Sequence, residues 1–204
     1  MAQLYAYLIR HGTTLQNERG HYRGWLDDAS TQLNVAGKDA ARNAALYLKA
    51  HNVRLDSIYY SDLGRAHETA EIIAKILGKE DSCYSSSALR PLNVGKFQGQ
   101  SKAGTPLLHF INHPNEAIPS GESVKMFEAR TVAEFQKIRR DNPGLIPIII
   151  VHTSNIVALW NHLNPHQRFA EEVEEVVSPG GIVMWTSAGL VPLYKETPSF
   201  PPYA

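Results

Sequence analysis

Apolar positions along the chain fall into short continuous runs separated by helical stripes. Leu4 to Ile9 is an apolar segment containing two tyrosines, the pattern of a buried strand, and it delivers Arg10 and His11 at its end. After a polar loop, Val35, Ala41, Ala45 and Leu48 recur at roughly helical spacing and predict an amphipathic helix. "LDSIYYS" predicts a second strand. "GRAHETAEIIAKILG" predicts a helix with Ala66, Ala70, Ile73 and Leu77 on one side and Gly78 as its stop. "SCYSSSAL" carries a weaker strand signal.

The stretch 90–121 is irregular, with Gly95, Gly99, Gly104, Pro106, Pro114 and Pro119, and a short helix is expected around Pro106 to Asn112. "GESVKMFEARTVAEFQKIRRDNPG" predicts a long helix ended by Pro143 and Gly144. "LIPIIIVH" is the clearest buried strand, and "NIVALWNHL" predicts a helix after it. "GGIVMWTSAGLVPLY" reads as two strands around a Ser-Ala-Gly turn, an edge hairpin near the C-terminus. The proline-rich "KETPSFPPYA" is expected to lie on the surface.

Strands alternating with helices imply an α/β fold, a three-layer sandwich with a mainly parallel central sheet flanked by helices. No internal repeat or linker breaks the chain, so residues 1–204 are expected to form a single domain. Segment 90–121 is expected to be an insertion, a lid over the active site.

Composition narrows the function classes. Lys plus Arg and Asp plus Glu are equal at 20 each, which gives no general affinity for nucleic acid or acidic membranes. Cys83 is the single cysteine, so no intrachain disulfide forms, which suits a reducing compartment. The N-terminus lacks the pattern of a secretory signal, and the longest apolar run, "LIPIIIV", is too short to span a bilayer. A cytoplasmic protein is expected, with no membrane or nucleic-acid partner. Its oligomeric state stays open, with a homodimer through the C-terminal hairpin among the options.

In open α/β sheets, ligands bind beyond the carboxyl ends of the strands. Arg10 and His11 follow the first strand, Arg65 follows the second in "SDLGR", and His152 follows "LIPIIIV". Two histidines and two arginines at one sheet edge suit a phosphomonoester dianion, because guanidinium groups pair with its oxygens. A deprotonated imidazole is a nucleophile at neutral pH, and neighbouring arginines keep it deprotonated. Taken singly, each histidine also fits a structural role and Arg65 a surface charge. "HFINH" lacks the glutamate and third ligand of a zinc helix, and a proline interrupts "NHLNPH", so no metal site is expected. "GKFQGQ" matches neither a P-loop nor a dinucleotide fingerprint, and no Gly-x-Ser-x-Gly elbow occurs. Trp25, Trp160 and Trp185 read as packing residues.

"LIRHGTTLQNERGHYRGWLDDASTQLNVAG", "YYSDLGRAHETAEIIA" and "IIIVHTSNIVAL" together resemble, in order, the histidine phosphatase superfamily, which includes the cofactor-dependent phosphoglycerate mutases. The resemblance is weakest over 90–121 and after 190. It implies that His11 is the nucleophile that becomes phosphohistidine. Arg10, Arg65 and His152 would form the phosphate pocket, with His152 also stabilising the transferring group. Asn17, Gly24 and the backbone N–H near Thr153 would be further phosphate contacts, and Arg23 a substrate contact. No metal or organic cofactor is implied.

One position departs from the family pattern. Many relatives carry a proton-donating glutamate directly after "LR", and Pro91 stands there in this chain. Another branch carries an aspartate after the late histidine, where this chain has Thr153. Glu122 in "PSGES" is the expected replacement donor. The resulting expectation is a phosphatase acting on small phosphomonoesters. A phosphoglycerate mutase and a weakly active domain binding phosphorylated ligands or partners stand as alternatives.

Overall fold

The computed structural model describes residues 2–104, 106–166 and 177–194. Strand β1 (Leu4–Arg10) is followed by the short helix α1 (Leu15–Glu18), then α2 (Val35–Ala50), β2 (Ile58–Ser61), α3 (Gly64–Leu77) and β3 (Cys83–Ser86). The second half runs α4 (Leu107–Asn112), α5 (Val124–Asp141), β4 (Ile148–Val151), α6 (Thr153–Leu163), β5 (Ile182–Thr186) and β6 (Gly189–Tyr194). The strands form one sheet in the order β3-β2-β4-β1-β5-β6. β1 pairs in parallel with β4, and β2 pairs in parallel with β4 and β3. β5 runs antiparallel to both β1 and β6, which gives the mainly parallel sheet and edge hairpin expected from sequence.

Alternation along the central strands creates two cores. Tyr7, Ile9, Ile148 and Ile150 point to the face covered by α2 and α3, where they meet Ala44, Ala45, Leu48, Ala70 and Ile73. Ala6, Leu8, Ile149 and Val151 point to the opposite face, against Phe135 and Ile138 of α5 and Ile156 and Leu159 of α6. The apolar runs of β1 and β4 thus reflect strands buried on both faces.

Val35 departs from its expected place: it is 77% exposed. At about 100° per residue it lies some 120° around α2 from Ala41, off the buried face of Ala41, Ala44, Ala45 and Leu48. Gly78 ends α3 in the left-handed conformation, φ 65°, as its position predicted. The tail from 195 lies outside the described residues.

Segment 90–121 is a packed unit. Val94, Phe97, Leu107, Phe110 and Ile118 form their own buried cluster, joined by Tyr22 and Leu92. The Gly95 backbone packs against Pro119 and Gly121 at the segment's far end, where a Cβ would lie 2.1 Å from the Pro119 oxygen, and Lys96 N–H donates to the Pro119 carbonyl at 3.0 Å. The segment is bonded to the loop after α1: Tyr22 N–H donates to Gln100 O, Gly99 N–H to Tyr22 O, and Trp25 N–H to Gln98 Oε1.

Candidate active site

β2, β4 and β1 are neighbours in the sheet, so their carboxyl ends deliver Ser61, His152 and His11 side by side. His11 is fully buried, His152 is 3% exposed, and their rings meet edge-on with centroids 4.9 Å apart. Arg65, near the start of α3, is 1% exposed, and Arg10 is 7% exposed. The helix-start arginine is therefore an interior charge, not a surface one.

His11 is held in one tautomer. Its Nδ1 lies 2.7 Å from the Gly12 carbonyl, an oxygen that can only accept, so Nδ1 carries the hydrogen of the neutral ring. Nε2 is then the lone-pair nitrogen; it is buried without a hydrogen-bond partner among the described residues. Thr69 steadies the backbone here, taking the Gly12 N–H at 3.1 Å and donating to the Arg65 carbonyl at 2.7 Å. His152 Nε2 lies 3.0 Å from Ser61 Oγ, and its buried Nδ1 has no partner among the described residues.

The arginines are anchored by neutral oxygens. Arg65 donates to the Leu26 and Gly24 carbonyls at 3.1 and 2.9 Å, and Arg10 donates to the Val177 carbonyl at 2.8 Å. Arg23 contacts Asn17 Oδ1 and Thr14 Oγ1, the side chains that cap α1. Burial, and then the charges of Arg23, Arg65 and Arg10, hold the His11 pKa well below the usual imidazole range, while its bond to Gly12 O pulls the other way. His152 is depressed by burial first, then by Arg65, His11, Arg23 and Arg10. Burial pushes Arg65 down to about 10 against the opposing charge of Asp27, so it stays cationic at neutral pH. The Asp27 carboxylate also accepts the Gly64 N–H, capping α3 from a distant loop.

This is a buried cationic cradle around an imidazole nitrogen with a free lone pair. A model of the histidine phosphatase superfamily (branch 1) matches residues 6–174. The chain belongs to that superfamily. Among its relatives, it is 31% identical to a 2,3-bisphosphoglycerate-dependent phosphoglycerate mutase of Parvibaculum lavamentivorans, over 77% of this chain and 78% of that one. It is 30% identical to phosphoglycerate mutase-like protein 4 of Arabidopsis thaliana, over 81% and 74%. Its fold is shared with a mycobacterial glucosyl-3-phosphoglycerate phosphatase solved with VO3, at a TM-score of 0.72 and 21% identity, covering 93% and 96% of the two chains.

Of the residues that the superfamily resemblance singles out, His11, His152, Arg10, Arg65 and Arg23 act on one another's charge in this cradle. Asn17 reaches it through Arg23, Gly24 through its carbonyl on Arg65, and Thr153 opens α6 directly after His152. Glu122 is different. Its carboxylate faces Arg130, with Oε1 at 2.6 Å from Nη2 and Oε2 at 2.9 Å from Nε, and Oε1 also accepts the Asn93 N–H. Three N–H donors thus reach the Glu122 carboxylate, two on Oε1 and one on Oε2, a different setting from that of an unpaired proton donor. Ser61, Thr69 and Arg130 were not foreseen. Thr69 is one helical turn from Arg65, and Ser61 ends β2, so only their spacing pointed to the site.

Among the described residues no group of His, Cys, Asp and Glu is arranged to hold a metal, and no helix is long and apolar enough to cross a membrane. His109 and His113 stack on the exposed side of α4 and its end, with His109 paired to Glu116.

Proposed function

We propose that the chain is a phosphatase that hydrolyses small phosphomonoesters through a phosphohistidine on His11. The observation that carries this reading is the His11 tautomer: Nδ1–H is committed to Gly12 O, and Nε2 lies buried among the Arg10, Arg23 and Arg65 charges. The Nε2 lone pair attacks phosphorus, and the bond from phosphorus to the ester oxygen breaks. The departing oxygen takes a proton from solvent, and the later attack by water returns one. The phosphorylated ring is cationic, and the Gly12 carbonyl stabilises it through Nδ1–H. Water then attacks phosphorus, inorganic phosphate leaves, and the lone pair returns to Nε2.

The arginines stabilise the phosphoryl oxygens throughout, from anchored positions that need little reorganisation. Ser61 Oγ, 3.0 Å from His152 Nε2, holds that ring beside His11. No metal or cofactor enters these steps.

A phosphoglycerate mutase is the second reading, favoured by the function named for the bacterial relative. Incubation with 3-phosphoglycerate and a trace of 2,3-bisphosphoglycerate separates the two. Phosphate release supports the phosphatase; isomerisation without phosphate loss supports the mutase. A screen of phosphoesters tests both against simple binding. Turnover that vanishes in His11→Ala, with an acid-labile phosphoenzyme in the wild type, is the expected result. Tight phosphate binding with no turnover and no phosphoenzyme would overturn it.

A further inference from the structure

The geometry points to Arg130 and Glu122 as a positioning pair that sets Arg65 on one side of His11 and the backbone of His152 on the other. Arg130 has five N–H donors, and all of them are engaged: Nε with Glu122, Nη1 with the Ala88 and Arg90 carbonyls, Nη2 with the Pro91 carbonyl and Glu122. A guanidinium used in this way has no donor left for substrate. Its work is to hold the turn at 88–91 on α5, and Glu122 supplies the charge that keeps it there.

That turn is a branch point. On one side, the Pro91 carbonyl accepts Trp25 Nε1 at 2.8 Å. Trp25 stands between Gly24 and Leu26, whose carbonyls hold the Arg65 guanidinium. The Trp25 ring is also covered by the Arg90 and Arg130 guanidiniums, 5.0 and 5.7 Å from its centroid. On the other side, the Arg90 carbonyl accepts Asn155 Nδ2 at 3.2 Å, and Asn155 Oδ1 accepts the His152 N–H at 3.2 Å. Asn155 is fully buried, so neither link is exchanged for water. Arg65 and His152 are thus each three hydrogen bonds away from one saturated ion pair.

Glu122 consequently acts through Arg130 and not on the leaving group. A proton on Oε1 would point an O–H at an N–H, and a proton on Oε2 would remove the charge that pairs with Arg130. Small displacements in such a cradle are costly, since a misplacement of about 1 Å can cost roughly 10²-fold in rate.

The test builds on the proposed phosphatase activity. It compares wild type, Arg130→Lys, Arg130→Met, Glu122→Gln and Trp25→Phe on phosphomonoesters of graded leaving-group acidity, with inorganic phosphate affinity measured by calorimetry. Arg130→Met is expected to lower kcat/KM about tenfold or more on every ester, and to weaken phosphate binding by a similar factor. Arg130→Lys is expected to recover part of the loss. Glu122→Gln is expected to fall in parallel across the series. A steeper dependence on leaving-group acidity in Glu122→Gln would make Glu122 a proton donor and overturn the inference. A lower Tm with unchanged kinetics and phosphate affinity would make the pair purely structural and overturn it as well.

Should Arg130→Met fail to fold, Trp25→Phe reads the same link, because it keeps an aromatic ring and deletes the bond to Pro91. Unchanged phosphate affinity in Trp25→Phe and Arg130→Lys together would refute the positioning role. If the wild type turns over no ester, the phosphatase reading fails, while the phosphate affinities still decide the role of the pair.

Discussion

Gly12 and Gly37 meet backbone to backbone at the floor of the site. A Cβ on Gly12 would lie 2.1 Å from the Gly37 carbonyl oxygen, and one on Gly37 would lie 2.2 Å from the Thr13 carbonyl oxygen. Asn34, which caps α2 through the Gly37 N–H, also donates its own N–H to Thr13 O at 3.0 Å. The start of α2 is thereby pressed against the chain that carries the acceptor for His11 Nδ1. Neither contact has a flexible side chain that can give way. Gly37→Ala should therefore cost about 1–3 kcal/mol of stability and lower turnover by displacing Gly12. A urea melt paired with a phosphate-release assay checks both; an unchanged melt would show that the contact relaxes.

Burial and the surrounding guanidiniums give His11 and His152 folded pKa values well below the roughly 6.5 of an unfolded chain. In the window below that value the unfolded chain binds protons that the folded one refuses. Stability should hold steady above about pH 7 and fall as pH drops below roughly 6.5, by up to about 1.4 kcal/mol per pH unit for each histidine. Melting temperatures between pH 5 and 8 test this. His11→Asn and His152→Asn should each flatten the acid limb, and a slope unchanged in both would assign it elsewhere.

Ser61→Ala should leave His152 Nε2 buried without its partner, at a cost of about 1–3 kcal/mol, and release the tautomer of that ring. The fall in kcat should exceed the change in KM, since the ground-state arginine contacts remain. Ser61→Thr, which keeps the hydroxyl, should retain most of the rate if the pocket accepts the added methyl. Equal activity in wild type and Ser61→Ala would discount the bond.

Arg65→Lys should behave as a severe change despite keeping the charge. An ammonium on a flexible stem does not reproduce the fork that spans the Gly24 and Leu26 carbonyls. Weaker phosphate binding, by roughly tenfold or more, is expected together with lower thermal stability. Phosphate titration followed by calorimetry measures the first, and a wild-type affinity would rule out the fork as the binding element.

Much of this arrangement was legible because it is written in local patterns. Leu4–Arg10 and Ile148–Val151 are apolar on both faces, which already implies central strands with residues delivered at their ends. The helical stripe of Ala66, Ala70 and Ile73 likewise placed Arg65 at a helix start. Val35 misled because an apolar residue one turn early matches a loose count of spacing while lying off the buried face. Glu122 was ambiguous for a different reason. Its position before α5 fits a helix start equally well whether the carboxylate faces a pocket or an arginine, and Arg130 lies two turns further along that helix.

Periodicity and the identity of strand-end residues were enough to establish an α/β sandwich and to bring forward His11, His152, Arg10 and Arg65 as site candidates, because strand burial and helix faces depend on neighbours in sequence. What each nitrogen and carboxylate does depended on tertiary contacts. The two carbonyls that fork Arg65 and the turn at 88–91 that Arg130 holds come from segments far apart in the chain, whereas the carbonyl that orients His11 belongs to the next residue and is aimed by the backbone turn after β1. Hydrogen-bond geometry at a site is set by which backbones the fold brings within about 3 Å, and no local pattern encodes that distance.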